Sequence, residues 1–492
     1  MKGNDADETA SLVRRLGENG GVHADAVGQV AQTRHQELAT RDDRGAEAMW
    51  EVACAAARAS TPRLDRLRFV TITTDTAGSF AAWVESLRTA LDDAGWRRGD
   101  GPEVEVLRVA NDVDPAIDAA HRKVSAEGIT IRVAETDTGR RPLPLAEARP
   151  FAFRRVRELG WVPSPRAPIW SLDEDFRFDT LVPSPSAMFV RRSGGPLFHR
   201  LDVLIARLAA EGVDVIVGGN TGAAPVPALG LMLGQTRDLV VDIGPAQSSE
   251  LPLESLSQLA DAYYDLAGEQ APGLRIPLMR AWWRKDAQID ASEVVSRLQA
   301  GLPVTRPALA MPLRHPPNAW ATYDHSGVAG GNTLLLSPRA LGARFVHVRH
   351  GALISRRADT TWAINARAHG ARVVRACLPF FHDRQRRPRA QAEAAREALS
   401  DALGVGVYRS MLAGDVTEVT ILARAEARLA ALRTHLVAAE ATARRASIGH
   451  RCLDDLADWI AETRESLMLM GSGPAFFQRA LREAAFISRS AE

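Results

Sequence analysis

Apolar positions along this chain follow two rhythms, and they alternate in a regular way from residue 67 onward. Residues 67–74, with Phe69, Val70 and Ile72, form a β-branched apolar run that predicts a strand. Phe80, Trp83, Val84, Leu87 and Leu91 then recur at helical spacing across 78–94. A second strand is expected over 104–109, ending at Asn111 and Asp112, and a helix over 116–126. A third strand follows over 129–133, a helix over 145–159 and a fourth strand over 168–172. Strands separated by helices predict an α/β fold built from βαβ crossovers around a mainly parallel sheet. Ligands of such sheets gather at the carboxyl ends of the strands. Thr74 and Asp75, Asn111 and Asp112, and the triplet Asp173, Glu174 and Asp175 fall at those ends.

The flanks read differently. Residues 1–62 are Ala-rich with helical spacing and are expected to form a helical extension. The main domain is expected over 63–387, with a long insert at about 186–325 in which apolar, Pro-rich and Gly-rich pieces alternate. Within it, 201–210 and 253–266 have helical spacing and 213–217 has strand character. The α/β texture returns from Gly327 to His382, and 388–492 is expected to be a helical C-terminal region. Gly218 to Thr221 and Gly330 to Thr333 repeat the same four residues, but their surroundings differ and no duplication follows.

Composition narrows the function classes. A hydrophobic share of 46% in 492 residues suits a globular chain with more than one structural unit. Net charge is +1, so no global field favours nucleic acid. Cys54, Cys377 and Cys452 are far apart and form no CxxC pair, which supports neither a zinc site nor a disulfide framework. The first twenty residues are polar, and the longest uncharged run, between Asp214 and Arg237, is broken by Gly218, Pro225 and Pro227. No signal peptide or transmembrane helix is therefore expected, and the reading is a cytoplasmic protein. Walker loops, GxGxxG fingerprints and serine-hydrolase elbows do not occur.

The acidic triplet holds the most chemistry. If the strand continues through Asp173 and Asp175, its alternation points both carboxylates the same way. Paired carboxylates favour a hard divalent cation, which in turn neutralises a diphosphate. The competing reading is a turn with solvated charges, and the position at the end of a fourth strand favours the first.

Around this triplet the order of motifs resembles GT-A glycosyltransferases of the family 2 type. Residues 148–155, including Arg149 and Pro150, resemble the helix that precedes the family's DxD strand. Residues 328–341, with Gly330, Gly331 and Asn332, resemble its Gly-rich acceptor-side segment. The segment with Asp359 and Trp362 resembles its acidic helix, His369 to Val374 is similar to the stretch that follows, and Leu378 to His382 resembles the strand ending in His that closes the core. The Gly-Gly segment and terminal His are also similar to polypeptide N-acetylgalactosaminyltransferases. The likeness covers about 67–185 and 325–385. It departs at Ala358, where the family has Glu, at Pro150, where it has Asn, and in the length of the insert.

The resemblance implies a GT-A fold and transfer of a sugar from a UDP- or GDP-linked donor to a small-molecule or glycan acceptor, assisted by Mn²⁺ or Mg²⁺. It implies that Asp175 binds the metal, that Asp173 binds metal or ribose, and that His382 is a further ligand. His382 also fits a hydrogen-bonded core or surface histidine, and Asp383 beside it reads as solvated. Asp359 is implied as the base for the acceptor hydroxyl, and it equally suits an N-cap for a helix over 360–368. Thr73, Thr74, Asp75 and Asp112 are implied to hold base and ribose, or else cap helices. Arg149 is implied to pair with the diphosphate, with a surface salt bridge as its alternative. Gly330, Gly331 and Asn332 are implied to approach the sugar, or form a plain turn. Trp282, Trp283 and Trp320 read as core or as sugar-stacking rings. The C-terminal helices are candidates for a homo-oligomer interface. Two other functions share the pattern: a sugar-phosphate nucleotidyltransferase, which normally carries a basic residue in the loop that here holds Thr73 to Gly78, and a noncatalytic nucleotide-sugar-binding protein.

Overall fold

A computed structural model describes residues 11–15, 24–38, 42–60, 62–97, 99, 101–136, 142–184, 188–218, 220–222, 280–281, 309–310, 333–350, 353–375, 378, 380–383, 391–446, 451–470 and 485–489. The expected helix over 253–266, Trp282, Trp283, Trp320 and the Gly330 to Asn332 segment lie outside the described residues.

The chain opens with a helical pair, α1 (Ala24–Leu38) and α2 (Asp43–Ala59). Next come β1 (Arg66–Thr73), α3 (Ser79–Asp93), β2 (Glu103–Ala110), α4 (Pro115–Arg122), β3 (Ile129–Glu135), α5 (Leu145–Glu158) and β4 (Ile169–Leu172). β5 (Phe176–Arg177), β6 (Asp179–Ser184), β7 (Met188–Ser193), α6 (Gly195–Ala210), β8 (Val215–Val217) and β9 (Asn220–Gly222) follow, then the two-residue strands β10 (Arg280–Ala281) and β11 (Leu309–Ala310). The chain continues through β12 (Thr333–Leu336), α7 (Pro338–Leu341), β13 (Phe345–His350), β14 (Leu353–Ile354), α8 (Ala358–Ala368), β15 (Val373–Arg375) and β16 (Phe380–His382). It ends with α9 (Gln391–Leu412), α10 (Glu418–Ala446), α11 (Arg451–Met470) and β17 (Ala485–Arg489).

The central sheet has the order β15-β8-β12-β4-β1-β2-β3. β1 lies parallel to β2 and β4, β2 to β3, and β8 to β15, while β12 runs against both β4 and β8. The sheet is therefore mainly parallel, as the alternation of elements predicts. Alternate residues feed two cores. Phe69, Val106, Trp170, Leu335 and Val374 meet Trp83 of α3 and Phe198 of α6 on one face. Val70, Ile72, Leu107, Ile169 and Leu334 meet Phe153 of α5 and Trp362 of α8 on the other. Burial on both faces explains why these strands read as near-continuous apolar runs. Each large side chain so buried contributes about 1.5–3 kcal/mol.

From β1 the chain steps outward through β2 to β3, then returns to the opposite side of β1 with β4. The carboxyl ends of β1 and β4 are thus the point where the strand order reverses, the usual place for a ligand crevice. A second, smaller sheet, β10-β11-β9-β16-β5, stands beside that point.

Helices α9 to α11 share a core of Leu399, Leu403, Ile421, Leu429, Leu456 and Ile460, joined by Val348 of β13. The expectation of a wholly helical 388–492 needs correction: β17 is a strand, paired antiparallel with β13 from Phe345↔Arg489 to Arg349↔Ala485. Its partner lies more than a hundred residues upstream, so no local spacing announces it. The helix expected to reach Ala126 ends at Arg122, and the one expected from Leu201 starts at Gly195.

Candidate functional site at the switch point

A cavity of about 360 Å³ opens between the loop after β1, with Thr74, Thr76 and Gly78, and the turn after β4, with Asp173, Glu174 and Asp175. The triplet does not continue the strand. β4 stops at Leu172, residues 174 and 175 form a turn, and Phe176 N donates to Asp173 O at 3.2 Å. Strand alternation is therefore not what orients the carboxylates; each is set by its own partner. A hairpin-like return into β5 ends the sheet direction here because β5 must pair with β16, where His382 faces Phe176 across the ladder.

Glu174 turns inward and knits the two sides of the cavity together. Thr74 N donates to its Oε1 at 3.1 Å, the Thr74 hydroxyl donates to the same oxygen, and Ser79 Oγ donates to Oε2 at 2.7 Å. The residue is 8% exposed, and burial pushes its carboxyl up to about 7 despite the hydrogen bonds from Thr74 and Ser79.

Asp173 and Asp175 flank it and keep 28% and 33% of their side-chain surface open. Arg149 Nη2 donates to both oxygens of Asp173, at 3.0 and 3.2 Å. Burial pushes the Asp173 carboxyl up to about 6; the Arg149 charge opposes this, and the charges of Asp175 and Asp359 reinforce it. His382 Nε2 donates to Asp175 Oδ2 at 3.0 Å, and the Phe176 ring stacks on the imidazole with centroids 5.0 Å apart. Arg177 is buried, gives Nη1 to the carbonyls of Glu174 and Phe176, and stands 3.5 Å from Asp383. Burial lowers the pKa of its guanidinium below the ordinary value.

Two carboxylates and an imidazole are a donor set suited to Mn²⁺ or Mg²⁺. Among the described residues no three such groups are already gathered in ligand geometry. Asp173 is turned to Arg149 and Asp175 to His382, so a cation would draw both carboxylates from those partners.

The remaining candidates sort by position. Asp359 sits half-buried in the first turn of α8, whose N-cap position is occupied by Arg357, and its charge acts on Asp173. Asp75 spends Oδ1 on the backbone N–H groups of Val113 and Asp114, at 2.8 and 2.9 Å, and so ties the loop after β1 to the one after β2. Thr73 and Asp112 lie behind the cavity. Thr73 Oγ1 donates to Asp112 Oδ2 at 2.8 Å, Arg108 Nε donates to Thr73 Oγ1 at 3.0 Å, and Arg108 also pairs with Asp112 and Asp118. The Asp112 side chain has no exposed surface. Burial would raise its pKa, but hydrogen bonds from His121 and Thr73 and the charge of Arg108 hold the carboxyl below its usual range. Gly330, Gly331 and Asn332 lie outside the described residues; the next residue, Thr333, pairs with Leu172 directly before the triplet.

No protein-family model matches this chain, and no curated protein matches its sequence. The geometry brings Thr74, Asp173 and Asp175 to one crevice, with Arg149 and His382 bonded to its carboxylates; Asp359, Thr73, Asp75 and Asp112 are not among the residues that line it. Sequence reasoning overlooked the separate roles of Glu174 and Arg177, which line the cavity, and the Arg108 network that binds Thr73; Asp383, read as solvated, also lines the cavity and stands beside Arg177. Arg108 did leave a signal: an arginine in the middle of an apolar strand, with an aspartate four residues on.

Proposed function

We propose that the crevice binds a nucleoside-diphosphate sugar and that the protein is a metal-assisted glycosyltransferase of GT-A type. The observation that carries this reading is the convergence of Asp173, Asp175, His382 and Arg149 at the crevice beside the carboxyl ends of β1 and β4. These residues come from three separate parts of the chain, and the sheet order is what draws them together. The single antiparallel strand β12 supports the same reading, because it enters the sheet beside Leu172 from the segment likened to the acceptor side.

Asp173, Asp175 and His382 would hold Mn²⁺ or Mg²⁺, which supplies charge neutralisation for a departing diphosphate. Arg149 is within reach of the same anion and offers a bidentate fork once it leaves Asp173. Asp359 accepts the proton of the acceptor hydroxyl as that oxygen bonds to the anomeric carbon and the bond from that carbon to the diphosphate breaks. The products are the glycosylated acceptor and the nucleoside diphosphate. The donor is expected to carry UDP or GDP, the acceptor to be a small molecule or glycan. Among the described residues no helix is long and apolar enough to cross a membrane.

The test is a thermal-shift panel of nucleoside diphosphates with and without Mn²⁺. UDP or GDP at about a hundredfold above its Kd is expected to add about 2.7 kcal/mol, only when Mn²⁺ is present. Asp175→Ala is expected to remove that metal-dependent part. Equal shifts without metal, or a response confined to nucleoside triphosphates, would point to a plain binding protein or a nucleotidyltransferase instead.

A further inference from the structure

Among the described residues Arg357 is the one non-glycine residue with left-handed backbone, at φ 70°. That conformation is unfavourable for an ordinary side chain and persists only where its surroundings fix it. The surroundings here belong to the C-terminal helices. Arg357 Nε donates to Asp401 Oδ1 of α9 at 2.8 Å, and Arg428 of α10 stands 3.6 Å from the other oxygen of that carboxylate. The preceding residue is held by the same helix: Arg356 N donates to Ser400 O at 2.9 Å, and the Arg356 side chain pairs with Glu397. One turn along, Gly404 has no room for a side chain, because a methyl group there would run into the Arg356 carbonyl. A glycine inside a helix is unfavourable relative to alanine, and here it permits the close approach of α9 to this turn.

Asp401 is 4% exposed. Burial would raise its pKa, yet the charges of Arg357 and Arg428 hold the carboxyl below its usual range, so the anchor is ionised. Two residues after the anchored turn comes Asp359, in the first turn of α8.

We infer that Asp401 is a positioning residue: by holding Arg357 in its left-handed turn it aims the first turn of α8, which carries Asp359. The C-terminal helices are then a working part of the site, which the strand and helix pattern of 63–387 does not suggest. The functional half of this inference rests on the glycosyl-transfer reading, in which Asp359 takes the acceptor proton; the structural half does not.

Asp401→Asn keeps the side chain's size and removes its charge. In the full chain, amide hydrogen exchange over 355–362 is expected to speed up about tenfold while the β4 amides keep their rates. The second readout uses the nucleotide sugar that gives the largest Mn²⁺-dependent stabilisation of the wild type. With it, Asp401→Asn is expected to lower kcat for sugar release about tenfold with KM within about twofold. The double variant Asp359→Asn/Asp401→Asn is expected to be no slower than Asp359→Asn alone, since both act through one carboxylate. Unchanged exchange at 355–362, or kcat losses that multiply in the double variant, overturn the inference. If Asp401→Asn does not fold, Gly404→Ala presses on Arg356 from the same helix and is expected to give the same two effects. A wild type that no nucleoside diphosphate stabilises defeats the glycosyl-transfer reading alone, and the exchange rates still decide whether Asp401 holds the turn.

Discussion

Glu174 shows how a side chain between two site residues can do structural work that pH controls. Its folded pKa of about 7 lies above the ordinary 4.5. Stability from this group is fully present below about 4.5 and is lost as pH rises toward 7, because the unfolded chain gives up its proton first. The loss amounts to about 3 kcal/mol for a shift of this size. Glu174→Gln keeps the shape, still accepts from Thr74, and can donate to Ser79. Urea unfolding is expected to show the variant close to wild type near pH 4 and more stable by about that amount near pH 8. Parallel curves across the range would mean that Glu174 is not the titrating group. At this scale the sequence told part of the story. The three acidic residues stand out as a cluster. The β4–β5 turn and each carboxylate's own partners fix which of them is open and which turns under Thr74, although the split, Asp173 and Asp175 open and Glu174 buried, is the one strand alternation gives.

Elements were more legible than residues. The strands β1, β2 and β4 and the helices α3 and α5 were readable to within one or two residues, because their buried faces leave a clear apolar signature; β3 was as readable although most of its residues are exposed or half-buried. β5, β9 and β17 were not, since strands of two to five residues owe their existence to partners far away in the chain, and β16 was expected only from the likeness of Leu378 to His382 to a strand ending in His. The link among β1, β2 and α4 is ionic. Arg108 and Asp112 have fully buried side chains, joined to Thr73 and Asp118. Removing one member of a buried pair leaves an uncompensated charge, at about 3–5 kcal/mol. Arg108→Met is therefore expected to destabilise the protein by that amount in denaturant unfolding, with Arg108→Met/Asp112→Leu recovering part of the loss. A loss below about 1 kcal/mol for the single variant would show that water reaches the network.

The whole molecule is organised around one topological event, the return of the chain from β3 across to β4. It places the loop after β1, which carries Thr74, against the turn that carries the acidic triplet. The small sheet delivers His382 to the same place through its ladder with β5, and the C-terminal helices fix the turn that leads to Asp359. The alternating pattern predicts the sheet and its carboxyl-end crevice; it is silent on the last two contributions, of which the second crosses between regions that read as separate. In the proposed reaction Asp173 and Asp175 face a crevice where a divalent ion meets a diphosphate. Anomalous diffraction at the manganese edge from crystals grown with Mn²⁺ and UDP or GDP tests this. A peak within coordination distance of the Asp173 or Asp175 carboxylates, with the diphosphate beside Arg149, is expected. A nucleotide bound in the crevice with no metal at those carboxylates, or a peak confined to other surfaces, would contradict it.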